Sequence, residues 1–183
     1  VILSRKNKIK IKYPGGCNIG NRPIDYHLKA IEELGYKVIQ EDNIINIIEE
    51  KRISKNITFP KISLGATINI LLLTSTYKDE VIITNPALEP GVLCVIEMLK
   101  QMGVEIDNVD KKIRVKGKNK LKGITYKIIY DRIEAGSYLF LAGAIQNSKV
   151  YIHNAPINEL NTVLVVARKM GIIVYKEKDK LVV

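Results

Sequence analysis

The chain has 183 residues, with 29 Lys and Arg against 19 Asp and Glu, a formal charge of +10, and 46% apolar residues. This composition supports a packed core and excludes a disordered chain, and no apolar run approaches the ~20 residues of a membrane-spanning helix. Two cysteines exclude a disulfide scaffold and a cysteine zinc finger, and two histidines argue against a histidine-rich metal site.

The chain begins Val1-Ile2-Leu3-Ser4-Arg5, without an initiator Met and too short for a signal peptide, and reads as the interior of a longer polypeptide. Residues 13–27 then form a glycine-rich loop, Tyr13-Pro14-Gly15-Gly16-Cys17-Asn18-Ile19-Gly20-Asn21-Arg22-Pro23-Ile24-Asp25-Tyr26-His27. Pro23 suits the first turn of a following helix. The helix start favours an anion through its free N–H groups and dipole, and Arg22 adds a fixed charge. Cys17, between glycines and Asn18, reads as an exposed thiol, and a thiol beside a cationic anion site becomes reactive when its pKa is lowered. Local features alone leave open whether it has a function.

An amphipathic helix is expected to end at Leu34-Gly35, followed by two strands around residues 36–47. Residues 63–73 read as a helix apolar on most sides, which predicts burial on several faces. A strand at 80–83 leads to the turn Asn85-Pro86. Cys94, within Gly91-Val92-Leu93-Cys94-Val95-Ile96, reads as a core residue of the next helix, which ends at Met102-Gly103. The basic run 111–122 reads as a strand entering an exposed loop. It holds no Tyr, and the whole chain has no Trp, so a nucleic-acid surface built on base stacking finds little support. A second mostly apolar helix spans about 131–144, a strand covers 149–152, and the turn Asn154-Ala155-Pro156 precedes a helix ending at Met170-Gly171.

These elements repeat. The intervals 103 − 35 and 171 − 103 are both 68 residues, and each glycine follows an amphipathic helix and precedes a strand, a polar turn and another strand. The left-handed conformation at a helix C-terminus explains each glycine but not the equal spacing. The pattern predicts an α/β fold of three βαβαββ repeats, at about 1–50, 51–118 and 119–183, with the apolar helices inside.

The stretch Gly15-Gly16-Cys17-Asn18-Ile19-Gly20-Asn21-Arg22-Pro23-Ile24-Asp25-Tyr26-His27-Leu28 closely resembles the cysteine-loop motif of UDP-N-acetylglucosamine enolpyruvyl transferases, the 1-carboxyvinyltransferases. The resemblance continues through Lys61-Ile62-Ser63-Leu64-Gly65-Ala66-Thr67, Asn85-Pro86-Ala87-Leu88-Glu89-Pro90 and Asp131-Arg132-Ile133-Glu134-Ala135-Gly136. It implies a fold of two lobes, each an inside-out α/β barrel, of which this chain would be one. It also implies a cytoplasmic enzyme that joins enolpyruvate from phosphoenolpyruvate to the 3-hydroxyl of UDP-N-acetylglucosamine and releases phosphate, in peptidoglycan precursor synthesis. No metal or organic cofactor is implied. The implied partners are the two substrates and a second lobe, with no membrane or nucleic acid.

By the same resemblance, Cys17 is the proton-donating catalytic thiol and Arg22 contacts the phosphate-bearing substrates. Pro23, Ile24, Asp25 and Tyr26 line the UDP-sugar site, with Lys61, Ile62, Ser63 and Leu64 as its second stretch. Read without the resemblance, Asp25 and Ser63 are better taken as helix caps, and Lys61 as a surface lysine. Asp131 and Arg132 are read as an ion pair or cap. Leu88 and Gly91 depart from the family's commoner basic residue and Glu, and Asn21 and Tyr26 are milder departures. The other clamp residues and the base fall outside the chain, so the isolated chain is expected to have no turnover. A basic nucleic-acid-binding domain and a degenerate nucleotide-sugar-binding paralogue are the alternatives.

Overall fold

A computed structural model describes residues 1–13, 24–53 and 55–183. The chain divides into two compact units, Val1–Tyr126 and Lys127–Val183. This division falls eight residues beyond the repeat boundary expected after residue 118.

In the first unit, β1 (Lys8–Lys12), α1 (Asp25–Glu33), β2 (Tyr36–Glu41) and β3 (Ile44–Glu49) form a sheet of order β1-β3-β2, antiparallel throughout. After β4 (Ile57–Thr58) come α2 (Leu64–Thr74), β5 (Glu80–Thr84), α3 (Pro90–Gln101), β6 (Glu105–Val109) and β7 (Lys112–Lys116). Their sheet has the order β4-β5-β7-β6, and the β4–β5 pair is parallel because α2 carries the chain between those strands. The second unit holds α4 (Arg132–Gly143), β8 (Tyr151–His153), a 3-10 turn at Ile157–Leu160, α5 (Asn161–Lys169), β9 (Tyr175–Glu177) and β10 (Lys180–Val182), with sheet order β8-β10-β9.

The repeat is visible in these connections. β1-α1-β2-β3, β5-α3-β6-β7 and β8-α5-β9-β10 each place the last strand between the other two. Gly35, Gly103 and Gly171 follow the three helices with φ of +91°, +104° and +85°. For α3 and α5 the ending is a full Schellman motif: Gly103 N–H donates to Lys100 O and Val104 N–H to Leu99 O, as Gly171 does to Arg168 O and Ile172 to Ala167 O. The turn residues Asp42, Asp110 and Lys178 also have positive φ, again 68 residues apart.

Helix α1 buries Leu28 and Ile31, and α3 buries Val92, Ile96 and Leu99, the i, i+4, i+7 stripe of an amphipathic helix. Cys94 lies beside that stripe and is half-buried, so it borders the core rather than belonging to it. Helix α2 is covered over most of its circumference, burying Ala66, Thr67, Ile70, Leu71, Leu73 and Thr74. Helix α4 differs from that expectation. Within its own unit it buries Ala135, Gly136, Leu139 and Ala142 and leaves Ile133, Tyr138 and Leu141 exposed. No strand forms between residue 116 and α4, so the first strand expected for the third repeat is absent from the structure.

A polar cluster secures the chain after α2 to the first sheet. Arg52 Nη2 donates to Glu49 Oε2 at 2.8 Å, Tyr36 donates to the same oxygen at 3.2 Å, and the Arg52 guanidinium lies 5.0 Å from the Tyr77 ring centre. Burial pushes the phenols of Tyr36 and Tyr77 above their ordinary range.

Candidate functional site

Cys17, Arg22 and Pro23 lie outside the described residues. The remaining expected site residues fall at the starts of two helices in the first unit. Ile24 is the residue preceding α1, Asp25 is the first helical residue, and Tyr26 follows it. Ile24 and Tyr26 are half-buried and pack on the core, whereas Asp25 is exposed. Asp25 is not a cap, because no side-chain cap bond forms at this helix start. Its carboxylate lies in the first turn, where it favours the helix dipole.

Lys61, Ile62, Ser63 and Leu64 form the entry to α2. Ser63 is the N-cap, and its Oγ accepts from Ala66 N–H at 3.3 Å. The Leu64 and Gly65 N–H groups have no partner among the described residues. Lys61 is exposed, as are Ile62 at 64% and Leu64 at 43%. The start of α2 thus combines outward-pointing amides, an exposed cation and two uncovered apolar side chains. Such a combination can hold an anion while packing against the flat face of a ring.

The two starts meet through His27. Its Nδ1 stands 2.7 Å from Asn69 Nδ2, and its ring lies against Gly65. Burial lowers the His27 pKa, and the nearby Asp25 carboxylate partly opposes that effect. Behind this edge, Thr67 Oγ1 donates to Ser63 O at 2.8 Å and accepts from Ala87 N–H at 3.0 Å. Asn85, with φ of +58°, donates from its amide to Phe59 O at 2.9 Å. The Asn-Pro turn is thereby fixed to the start of α2.

Sequence reasoning missed His27, Asn69 and Thr67. The available signals were a Thr in the first turn of an apolar helix, and Gly65 and Asn69 one turn apart on one face. Asp131, read as an ion pair or cap, is a cap: its Oδ1 accepts from Ile133 and Glu134 N–H at 2.7 and 3.3 Å. No three His, Cys, Asp or Glu side chains converge to hold a metal among the described residues. No described helix is long and apolar enough to cross a membrane.

A family-wide sequence profile for EPSP synthase (3-phosphoshikimate 1-carboxyvinyltransferase) matches residues 2–183. The chain belongs to that family. The profile match covers both units, including the segment between β7 and α4 that has no regular structure.

Among curated members, the UDP-N-acetylglucosamine 1-carboxyvinyltransferase of Wolbachia sp. subsp. Brugia malayi (strain TRS) is 42% identical over 163 residues, 88% of this chain and 38% of that protein. The enzyme of the same name from Clostridium botulinum (strain ATCC 19397 / Type A) is 38% identical across all of this chain and 44% of its own length. The chain therefore spans less than half the length of these relatives. The crystal structure of the enolpyruvyl transferase NikO from Streptomyces tendae superposes with a TM-score of 0.78 at 16% identity, covering 99% of this chain and 44% of NikO. EPSP synthase from Acinetobacter baumannii superposes at 0.66 with 18% identity, covering 99% of this chain and 43% of its own. Both show the enolpyruvyl transferase fold.

Proposed function

We propose that this chain is the cysteine-loop portion of an enzyme that transfers enolpyruvate from phosphoenolpyruvate to the 3-hydroxyl of UDP-N-acetylglucosamine. The observation that carries the reading is the 42% and 38% identity to curated enzymes of that name, extending over nearly the whole chain. The cysteine-loop motif, which lies within that similarity, agrees with the reading. On it the protein is a cytoplasmic enzyme of peptidoglycan precursor synthesis.

The 3-hydroxyl adds to C2 of phosphoenolpyruvate while C3 takes a proton from the Cys17 thiol. The tetrahedral adduct then gives up a proton from C3 to a base and loses inorganic phosphate from C2, which restores the double bond as an enolpyruvyl ether. Such a reaction needs a well-placed acid and cations that hold two anionic substrates in reacting geometry. Arg22 and Lys61 serve as cations, and the free amides of α2 face the diphosphate. Pro23, Ile24, Asp25 and Tyr26 form one wall of the nucleotide-sugar site, and Ile62, Ser63 and Leu64 the other. The base and further clamps belong to the rest of the enzyme, so residues 1–183 alone do not turn over.

The test is phosphate release by the full-length protein with phosphoenolpyruvate and UDP-N-acetylglucosamine, with shikimate 3-phosphate as the competing acceptor. The nucleotide sugar is the expected acceptor. Cys17→Ser should slow release by about 10²- to 10⁴-fold, the usual contribution of a positioned acid. The epoxide fosfomycin should label Cys17 in the full-length protein. Release with shikimate 3-phosphate instead, full activity in Cys17→Ser, or labelling at Cys94 would count against these assignments.

A further inference from the structure

We propose that His27 is a positioning residue: with Gly65 and Asn69 it forms a strut that sets the distance between the two walls of the nucleotide-sugar site. The inference rests on the functional reading above, which makes residues 24–26 and 61–64 those walls.

His27 lies in the first turn of α1, immediately after Tyr26, and its partners lie on α2, one and five residues beyond Leu64. Gly65 and Asn69 are separated by one helical turn and so share a face. The imidazole occupies that face. A Cβ at residue 65 would come 3.0 Å from His27 Cε1 and 3.4 Å from Nε2, closer than side chains normally pack. Glycine therefore leaves room for the ring to approach the α2 backbone. Asn69 then fixes the ring's rotation, since its Nδ2 faces His27 Nδ1 at 2.7 Å.

An amide nitrogen can only donate, so Nδ1 must accept. The ring is then neutral, with its proton on Nε2. Burial favours that neutral form, and Asp25 on α1 is the carboxylate that opposes it. Helix α2 carries no titratable side chain along Leu64–Thr74. Protonating His27 places a hydrogen on Nδ1, facing the Asn69 amide, and the strut must rearrange. The residues that touch substrate would then shift without any of them changing.

The experiment uses the full-length protein. Ring ¹⁵N shifts of His27 should show the Nε2–H tautomer. Asn69 is exposed, so Asn69→Ala should keep the wild-type melting temperature. It should raise the KM for UDP-N-acetylglucosamine about three- to tenfold, the effect of one hydrogen bond, and leave the KM for phosphoenolpyruvate unchanged. Gly65→Ala should act similarly by displacing the ring. Asn69→Asp replaces the donor with an acceptor and should raise the His27 titration point while moving the proton to Nδ1. A wild-type protein that binds UDP-N-acetylglucosamine, with variants that bind it equally well, overturns this inference alone. So does an Nδ1–H tautomer in the wild type. A wild-type protein that does not bind UDP-N-acetylglucosamine overturns the functional reading and this inference together.

Discussion

Replacing Thr67 with valine removes a hydroxyl from a site with 0% exposure and changes the side-chain volume little. Two hydrogen bonds disappear, but their losses differ. Ser63 O still accepts from Thr67 N–H at 3.0 Å, so losing the hydroxyl donor leaves it satisfied. Ala87 N–H has Thr67 Oγ1 as its partner at 3.0 Å, and Ala87 is itself fully buried. Thr67→Val therefore leaves a buried amide unpaired, a loss of about 1–3 kcal/mol. For a unit of this size the melting temperature should fall by about 4 to 12 °C. Urea unfolding followed by far-UV circular dichroism measures the loss, since the chain has no Trp. Amide exchange at Ala87 locates it. Thr67→Ser is the control: it keeps the acceptor and loses one methyl, about 0.8 kcal/mol. If valine is tolerated as well as serine, the hydroxyl does not fix the turn to α2.

Two further predictions concern stability. Gly35 and Gly171 have similar positive φ, but a Cβ at 35 would overlap the Lys51 carbonyl oxygen whereas one at 171 meets nothing within 4 Å. Gly171→Ala should cost about 1 kcal/mol of backbone strain, and Gly35→Ala several-fold more, read as urea midpoints. Tyr36 and Tyr77 hold their protons above the ordinary tyrosine value of 10.0. Above pH 10 the unfolded chain loses these protons first, so stability should fall by up to about 1.4 kcal/mol per pH unit for each tyrosine. Alkaline melts should show a shallower decline in Tyr77→Phe, and an unchanged slope would exclude Tyr77 as a source.

Much of the local architecture was readable in the residues. The 68-residue recurrence of glycine after an amphipathic helix marked three C-termini, and all three adopt positive φ. Ser63 and Asp131 were legible as caps because the cap bond spans only two or three residues. Cys94, expected in the core, only borders it. Its neighbours are apolar, but which flank of α3 faces the interior depends on what packs there, and it is half-buried. The composition of α4 suggested burial all round, whereas in its own small unit only one stripe is covered.

The sequence by itself determined the repeat, the helix endings, the cysteine-loop motif and the two stretches that resemble a nucleotide-sugar site. Those features depend on periodicity, backbone φ and hydrogen bonds a few residues long, which the chain encodes locally. Tertiary structure decided how the stretches are held together. His27 meets Asn69 across 42 residues, and Thr67 meets Ala87 across 20. Such pairs form only when separate helices and turns pack against a common core, and neither partner carries a pattern that names the other.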